Sequence, residues 1–258
     1  MTERKYKYIY GPVPSWRLGS SLGIDPLSRG EKVCTFDCSY CQIGKTDFLT
    51  DKRDEFARVS DVVEEIYSLP RLEIDYITFS GAGEPTLAKN LGQMIRALKK
   101  IRGEKIAVLT NSSLMHRNDV QEDLFAADFI VAKLDASTQS IFEVVNKPIS
   151  TVKIDAIIKA IKDFKSCYSG RLALQIMFVE ENKKTAKEIA NIAREIKPDE
   201  VQLNTPLRPC GIKPVSKLEM DIIKEYFVGL SVLSVYDAKK KAVRPISSDD
   251  TLKRRGKV

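Results

Sequence analysis

Residues 34 to 41 read CTFDCSYC and place Cys34, Cys38 and Cys41 within eight positions of the chain. Four roles are open to these thiols: disulfide bonding, core packing, a structural zinc site or an iron–sulfur cluster. The aspartate and serine between them are not typical of a core strand, which disfavours packing. The N-terminal residues lack the apolar core of a signal peptide, and no apolar run approaches the roughly 18 residues of a membrane helix. We therefore expect a cytoplasmic protein without membrane contact, in which disulfides are uncommon.

The number of nearby ligands bears on the two metal interpretations. A structural zinc needs four ligands, usually in two separated pairs, and the remaining cysteines, Cys167 and Cys210, are distant in sequence. The single histidine, His116, stands at a polar helix start, where we expect a surface residue. An iron–sulfur cluster is normally held by four thiolates. Three thiolates leave one iron open, and catalytic metal sites bind a substrate or cofactor at such an open position.

The two distant cysteines are interpreted separately. Cys167 falls at the end of an amphipathic helix pattern, so we expect it to be at least half-buried. Cys210 lies in a turn beside the predicted mouth of the sheet. It is either a redox-active or substrate-contacting thiol, or a turn cysteine without a role.

The C-x3-C-x2-C spacing, with Tyr40 before the third cysteine, resembles the cluster loop of the radical S-adenosylmethionine (SAM) superfamily. The resemblance implies that Cys34, Cys38 and Cys41 bind one 4Fe–4S cluster, with Tyr40 close to the cofactors. It also implies that SAM chelates the open iron through its amino and carboxylate groups. Reductive cleavage of SAM then yields a 5′-deoxyadenosyl radical, which typically abstracts a hydrogen atom from the substrate.

Polar segments after later strands extend the resemblance. Residues 80–85, SGAGEP, resemble the glycine-rich turn that binds the methionine amino group in this superfamily, with alanine at one position of the pattern. Glycines allow close backbone approach to a ligand, and carbonyls and a glutamate accept hydrogen bonds from an ammonium group. We therefore expect Gly81, Gly83 and Glu84 to hold SAM, although a plain tight turn has the same composition. Three residues at later strand ends resemble further contacts with the cofactor or substrate: Asn111, Lys133 and Asp135. Helix capping is the alternative for Asn111 and Asp135, and we favour contact for all three.

The rest of the chain alternates apolar strand patterns with amphipathic helix patterns. Short apolar strands that are each followed by a helix predict a parallel sheet covered by helices. We count six strand–helix units and one further strand pattern at residues 231–237, too few for a closed eight-stranded barrel. We predict an α/β fold, a partial (β/α)6 barrel with its helices outside. In such folds the functional residues lie at the C-terminal ends of the strands, where the cysteine loop and the polar segments fall.

Residues 9–27, IYGPVPSWRLGSSLGIDPL, resemble the opening of one branch of the superfamily, the wyosine-synthesis-type iron–sulfur oxidoreductases. This branch contains enzymes of tRNA modification and relatives that methylate a protein residue with a cobalamin domain. Trp16 stands where the pattern usually has arginine. Arg17 has the reach to contact a carboxylate, a phosphate or a carbonyl of the cysteine loop. A tRNA wyosine synthase carries additional cysteines for a second cluster, which this chain lacks.

The positive charge is concentrated near the C-terminus. Residues 237–258 hold eight Lys or Arg and three Asp, a net charge of +5 of the total +7. We divide the chain into a barrel with its N-terminal segment, residues 1–236, and a basic C-terminal tail, residues 237–258. A phosphate-contacting arm is one interpretation of this tail. We favour a solvated, frayed terminus because short basic termini are common.

Together these features predict a radical SAM iron–sulfur enzyme, an oxidoreductase or transferase with a 4Fe–4S cluster and SAM as cofactors. Because related branches act on macromolecules and the tail is basic, the expected substrate is RNA, in particular tRNA, or a protein residue. The chemistry requires an electron donor such as flavodoxin or ferredoxin. Two alternatives stay open: a non-catalytic iron–sulfur or zinc module that binds RNA, and a radical SAM enzyme that acts on a small molecule. Affinity for SAM separates the binding module from the enzymes.

Overall fold

An eight-stranded sheet forms the centre of the protein in a computed structural model, which describes residues 6–239 and 241–256. Lys240, Lys257 and Val258 of the predicted tail lie outside the described residues. The strands are β1 (Ile9–Ser15), β2 (Gly19–Ile24), β3 (Val33–Cys34), β4 (Phe48–Leu49), β5 (Tyr76–Phe79), β6 (Lys105–Thr110), β7 (Phe129–Lys133), β8 (Arg171–Met177), β9 (Glu200–Asn204) and β10 (Val232–Ser234).

The sheet follows the chain in the order β1-β2-β5-β6-β7-β8-β9-β10, and β3 pairs with β4 in a separate two-stranded sheet. All neighbours from β2 to β10 are parallel, whereas β1 is antiparallel to β2. The sheet curls into a half-barrel with the helices around it, which confirms the predicted partial barrel. The further strand pattern is also confirmed, as β10 beside β9. The C-terminal ends of seven parallel strands thereby meet at one mouth.

Amphipathic helices cover the sheet. They are α1 (Val59–Tyr67), α2 (Leu91–Ile101), α3 (Asn118–Leu124), α4 (Gln139–Val145), α5 (Ile154–Cys167), α6 (Ala186–Ile196), α7 (Lys217–Glu225) and α8 (Ser248–Arg255). Short 3-10 helices occupy Pro85–Leu87 and Lys183–Thr185. Helix α2 shows the pattern, since Leu91, Met94, Ile95 and Leu98 recur on one face and are all fully buried. Such faces pack with the apolar strand residues into the main core.

The N-terminal segment forms β1, an edge strand of the half-barrel. It contains Pro12 and Pro14, which have no backbone N–H to donate. Proline is tolerated in a sheet at an edge strand because only one side of that strand is paired. The pairing with β2 is irregular between Tyr10 and Val13, on either side of the first proline. The sheet therefore begins with an antiparallel hairpin, whose turn lies at the end of β2 opposite the mouth.

The C-terminal residues are ordered against this hairpin. Thr251 Oγ1 of α8 accepts a hydrogen bond from the Gly11 amide at 3.0 Å, and Asp250 accepts one from the Tyr6 amide at 2.9 Å. Asp250, Thr251 and Arg254 are buried. The prediction of a solvated, frayed terminus is therefore wrong for residues 248–255. The buried face of this helix is polar, so an apolar periodicity did not reveal it.

Two smaller predictions have opposite outcomes. His116 is exposed, as predicted, whereas Cys167 is also exposed rather than half-buried. Cys167 is the last residue of α5, and the buried face of that helix ends one turn earlier, at Phe164. Within residues 6–239 and 241–256, no helix has the length and apolarity needed to cross a membrane.

Candidate active site

The cysteine loop leaves the short strand β3 and turns twice at the mouth of the half-barrel. Cys34 ends β3 and is buried, and the Cys41 amide donates to the Cys38 carbonyl at 3.0 Å. A second turn follows at once, where the Gly44 amide donates to the Cys41 carbonyl at 3.2 Å. Pairing of β3 with β4 closes the loop at its base. All five cysteines of the chain are free thiols.

Each of the three sulfurs in this loop accepts a hydrogen bond from a different side chain. The pairs are Asn111 Nδ2 to Cys34 Sγ at 3.6 Å, Asn146 Nδ2 to Cys38 Sγ at 3.6 Å and Lys32 Nζ to Cys41 Sγ at 3.1 Å. Donors of this kind favour the thiolate, which is the form that binds metals. Burial, reinforced by the neighbouring Cys38, raises the pKa of the Cys34 thiol to about 12. A bound metal centre offsets this effect of burial, because its positive charge keeps coordinating thiols deprotonated.

The glycines of the SGAGEP turn allow close contact between chain segments. A side chain at Gly83 would place its Cβ 1.9 Å from the carbonyl oxygen of Val33, next to the first cysteine. Gly81 has a φ of +141° and packs against the buried Asp25. The Glu84 amide donates to the Val33 carbonyl at 3.2 Å. The turn is therefore fixed directly against the base of the cysteine loop.

The carboxylate of Glu84 is saturated by donors from its own chain. Oε1 accepts hydrogen bonds from the Thr86 amide at 3.1 Å, from the Thr86 hydroxyl at 2.6 Å and from the Thr110 hydroxyl at 2.6 Å. Oε2 accepts from the Asn111 amide at 2.6 Å. Burial nevertheless raises the pKa of Glu84 above its ordinary value. This carboxylate ties the glycine-rich turn to the end of β6, and it positions Asn111 beside the sulfur of Cys34.

Asp135 organises the other side of the cysteine loop in the same way. It accepts hydrogen bonds from the Tyr40 hydroxyl, from Asn146 Nδ2 at 2.7 Å and from the Met177 amide at 2.8 Å. Lys133 Nζ lies 3.6 Å from its carboxylate and 4.4 Å from the centre of the Tyr40 ring. Burial and the adjacent Asp135 raise the pKa of Tyr40 well above its ordinary value. Asp135 thus fixes both Tyr40 and the donor to Cys38.

A cavity of about 240 Å³ opens beside the loop, at the C-terminal ends of the strands. Four of the ten predicted site residues line it: Tyr40, Cys41, Gly81 and Lys133. The other six stand around it through the contacts described above and do not line it: Cys34, Cys38, Gly83, Glu84, Asn111 and Asp135. The structure therefore brings all ten predicted residues together. Four of them line the cavity, and the other six lie behind the lining and hold it in place.

Comparison with known proteins identifies this arrangement. Residues 32–193 match the sequence profile of the radical SAM superfamily. A UPF0026 protein of Synechocystis sp. is 40% identical over 210 residues, which cover 81% of this chain and 78% of that protein. The chain belongs to the radical SAM superfamily and, within it, to the UPF0026 proteins. A 4Fe–4S cluster and SAM are accordingly the cofactors of this enzyme.

Solved structures show the same fold at low sequence identity. TYW1 with a lysine–pyruvate adduct bound has a TM-score of 0.64 and 15% identity, covering 82% of this chain and 74% of that chain. SuiB of Streptococcus suis, bound to the precursor peptide SuiA, has a TM-score of 0.63 and 15% identity, covering 84% of this chain and 49% of that chain. These likenesses extend to the half-barrel architecture and no further.

The residues present fit the superfamily's cofactors. Three thiols face three N–H donors, and hydrogen bonds to the sulfurs are one of the means by which proteins set the potential of an iron–sulfur cluster. Among the described residues, no three His, Cys, Asp or Glu side chains converge tightly enough to enclose a single metal ion. The fit to the cluster therefore rests on the three thiols and their donors, and not on a site for a single ion.

Sequence reasoning missed two of the three sulfur donors. Lys32 precedes the first cysteine by two residues, and this proximity is a signal that the sequence contains. Its burial is visible only in the structure. Asn146 lies just after α4, a helix that the sequence analysis did not predict, and more than 100 residues from its sulfur partner. The packing of α4 against the cysteine loop, through the Ser39 amide and the Val145 carbonyl at 2.9 Å, brings Asn146 to the site.

Proposed function

We propose that Cys34, Cys38 and Cys41 bind three irons of the cluster, and that the enzyme generates a 5′-deoxyadenosyl radical to modify RNA. The observation that carries this proposal is the ring of three thiols, each with its own N–H donor, beside a cavity at the mouth of the half-barrel. Cys34, Cys38 and Cys41 would hold the cluster, which when reduced would supply the one electron needed to cleave SAM into methionine and the 5′-deoxyadenosyl radical.

The residues around the cavity divide the work of holding SAM. Gly81 presents backbone to the cavity, and Lys133 and Tyr40 line it next to Cys41, so we assign them to direct contact with the cofactor. Gly83, Glu84, Asn111 and Asp135 act by positioning, because their contacts are made within the chain. A cofactor ammonium group is then met by backbone carbonyls of the turn and not by the carboxylate of Glu84.

RNA is the substrate that the observations favour. The chain resembles the wyosine-synthesis branch, whose members modify tRNA, and the lining of the cavity includes four arginines and one lysine. A peptide substrate is the competing proposal, since SuiB with its precursor peptide has the same fold. The arginines favour RNA because they match its phosphates in geometry and charge. The proposal places the reaction in the cytoplasm, with flavodoxin or ferredoxin as the electron donor.

The test is anaerobic reconstitution with iron and sulfide, reduction with dithionite, addition of SAM and chromatographic quantification of 5′-deoxyadenosine. The wild type is expected to form the product and Cys38→Ala to form none. Cys167→Ala, which removes an exposed thiol at the end of α5, serves as the matched control and is expected to behave as wild type. Equal product from Cys38→Ala, or zinc retained at stoichiometry without any cluster, rules out the proposed ligands.

A further inference from the structure

Four arginines from three separate parts of the chain line the cavity beside Cys41. Arg17 lies in the turn between β1 and β2, Arg208 follows β9, and Arg254 and Arg255 end α8. Among the described residues that line the cavity, none is an aspartate or glutamate. These arginines therefore share one enclosed space without an acidic residue in its wall.

Only one of the four has carboxylate partners at salt-bridge distance among the described residues. Arg254 lies 3.7 Å from Asp25 and 3.8 Å from Asp250, and it also binds backbone carbonyls near the N-terminus. Arg254 is thus a structural residue that ties α8 to the N-terminal strands.

The other three, Arg17, Arg208 and Arg255, form what we call the arginine cluster. In the part of the chain that the structure describes, no carboxylate lies within 4.0 Å of their guanidinium groups. Arg17 stacks on the ring of Trp16 at 4.9 Å, and its Nε is buried without a hydrogen-bond partner. Arg208 donates to the carbonyl oxygen of Arg255, which holds the two together. The positions of Arg208 and Arg255 in the arginine cluster are therefore fixed by the contact between α8 and the loop after β9.

The three arginines are half-buried beside one another, which has a free-energy cost without an anion. Burial and the two neighbouring arginines lower the pKa of Arg17 to about 10, and burial and Arg255 lower the pKa of Arg208 to about 10. Buried charges in proteins are normally paired, because an unpaired one loses its hydration without compensation. A ligand with several anionic oxygens restores the balance, and the planar donor fork of arginine matches phosphate in a bidentate manner.

We infer that the arginine cluster binds a phosphate group of the substrate. It thereby holds a phosphate-bearing molecule, an RNA chain, next to the cysteine loop. That RNA is the carrier rests on the proposed function, whereas the anion site itself rests on the geometry of the three arginines. The carboxylate of SAM does not compete for this site, because the family resemblance directs it to the open iron.

The anion site is tested by calorimetric titration of inorganic pyrophosphate into the full chain before cluster reconstitution. We expect Arg17→Gln, Arg208→Gln and Arg255→Gln each to weaken binding tenfold or more. Arg58→Gln is the matched control, since it removes the same charge from a side chain that is 81% exposed and distant from the cavity. Equal affinity in the control and the three variants, or no binding to the wild type, overturns the inference. Because neither the cluster nor SAM is present, this result does not depend on radical chemistry.

Thermal unfolding separates an anion site from a structural role. In buffer without phosphate, each of the three variants is expected to keep or raise the Tm, because one of three mutually repelling cations has been removed. Pyrophosphate is expected to raise the Tm of the wild type, by preferential binding to the folded state, and not that of the variants. A lower Tm in the variants, with no pyrophosphate effect on the wild type, shows that the arginines only support the fold.

The source of the phosphate is distinguished with two probes: a labelled single-stranded RNA of about 12 nucleotides and ADP. We expect the RNA to bind more tightly than ADP. We also expect Arg208→Gln to reduce the salt dependence of RNA binding by about 0.7 in log–log slope, the value for one lost phosphate contact to a single strand. If RNA binds no more tightly than ADP, the inference of a phosphate site stands, but RNA is ruled out as the substrate.

Discussion

The charged groups that support one side of the cavity and those that line its other side differ in whether they have partners. On the side of the cysteine loop, Glu84 and Asp135 are buried and each accepts hydrogen bonds from several donors of the same chain. On the other side, Arg17, Arg208 and Arg255 are gathered without a carboxylate within 4.0 Å among the described residues. A group whose hydrogen bonds are complete holds its neighbours in place, whereas a charged group without a partner is available to a ligand.

The largest effect that tests this comparison is expected from Glu84→Ala. The change leaves the Thr86 and Thr110 hydroxyls and the Asn111 amide without their acceptor in a buried place. We expect the free energy of unfolding to fall by about 3 kcal/mol, which lowers the Tm by roughly 6–12 °C for a domain of this size. Urea denaturation and a thermal scan measure both quantities.

Glu84→Gln is a milder substitution at the same residue, because it keeps the shape of the side chain and one acceptor oxygen. Its expected loss is smaller, about 1 kcal/mol. If Glu84 instead contacts the cofactor directly, both variants leave the stability unchanged and weaken SAM binding alone. That outcome contradicts the claim that Glu84 supports the site through contacts within the chain.

The glycine-rich turn gives a second test through its contact with the cysteine loop. Gly83→Ala forces a Cβ to within 1.9 Å of the Val33 carbonyl oxygen unless the turn moves. We expect a loss of about 2 kcal/mol in unfolding free energy, as for other overpacked sites, and weaker SAM binding because the turn is displaced. Gly103→Ala is the control, since nothing lies within 4 Å of its Cβ position. Similar stability of the two variants contradicts the tight packing of turn against loop.

Lys32→Met tests whether the donors to the sulfurs act on the cluster. Lys32 Nζ donates to Cys41 Sγ at 3.1 Å and to the Gly44 carbonyl at 2.6 Å. A charged hydrogen bond contributes about 2 kcal/mol, so its loss is expected to lower the cluster potential by on the order of 100 mV for one electron. Lys45→Met, at an exposed position of the same loop, is the control. Spectroelectrochemical titration that finds equal potentials argues against a contact between Lys32 and the cluster.

Much of the fold was accessible from the sequence because apolar periodicity marks most of its elements. The parallel strands and the long helices, such as α2 and α5, bury apolar faces with regular spacing. Among the elements that escaped besides α4, two did so for clear physical reasons. Prolines in β1 obscured a strand that only an edge position permits, and α8 buries Asp250, Thr251 and Arg254, which no apolar pattern records.

The site was predictable to a more limited extent. The cysteine spacing and the glycine-rich turn are local signals, so their neighbourhood was foreseen, but the partners of Glu84 come from two other elements. The arginine cluster joins residues up to 238 positions apart, and of the three only Arg17 was considered as a contact for an anion. Only the curl of the sheet and the docking of α8 place them around one cavity.

The smallest effect is expected from Cys210→Ser, which sharpens the comparison on the cysteine side. Cys210 is half-buried in the loop after β9, its Sγ donates to the Ile212 carbonyl at 3.3 Å, and it packs near Tyr40 and Met177. Because three thiolates and SAM complete the coordination in the proposed site, we expect the same iron content per chain and the same yield of 5′-deoxyadenosine as in the wild type. Cys38→Ala, measured in parallel, sets the scale of a lost ligand. Iron loss in Cys210→Ser as severe as in Cys38→Ala identifies a fourth protein ligand. All four irons would then have a protein ligand, and none would be open to SAM. The metal centre would in that case have all its partners within the chain, as Glu84 and Asp135 do.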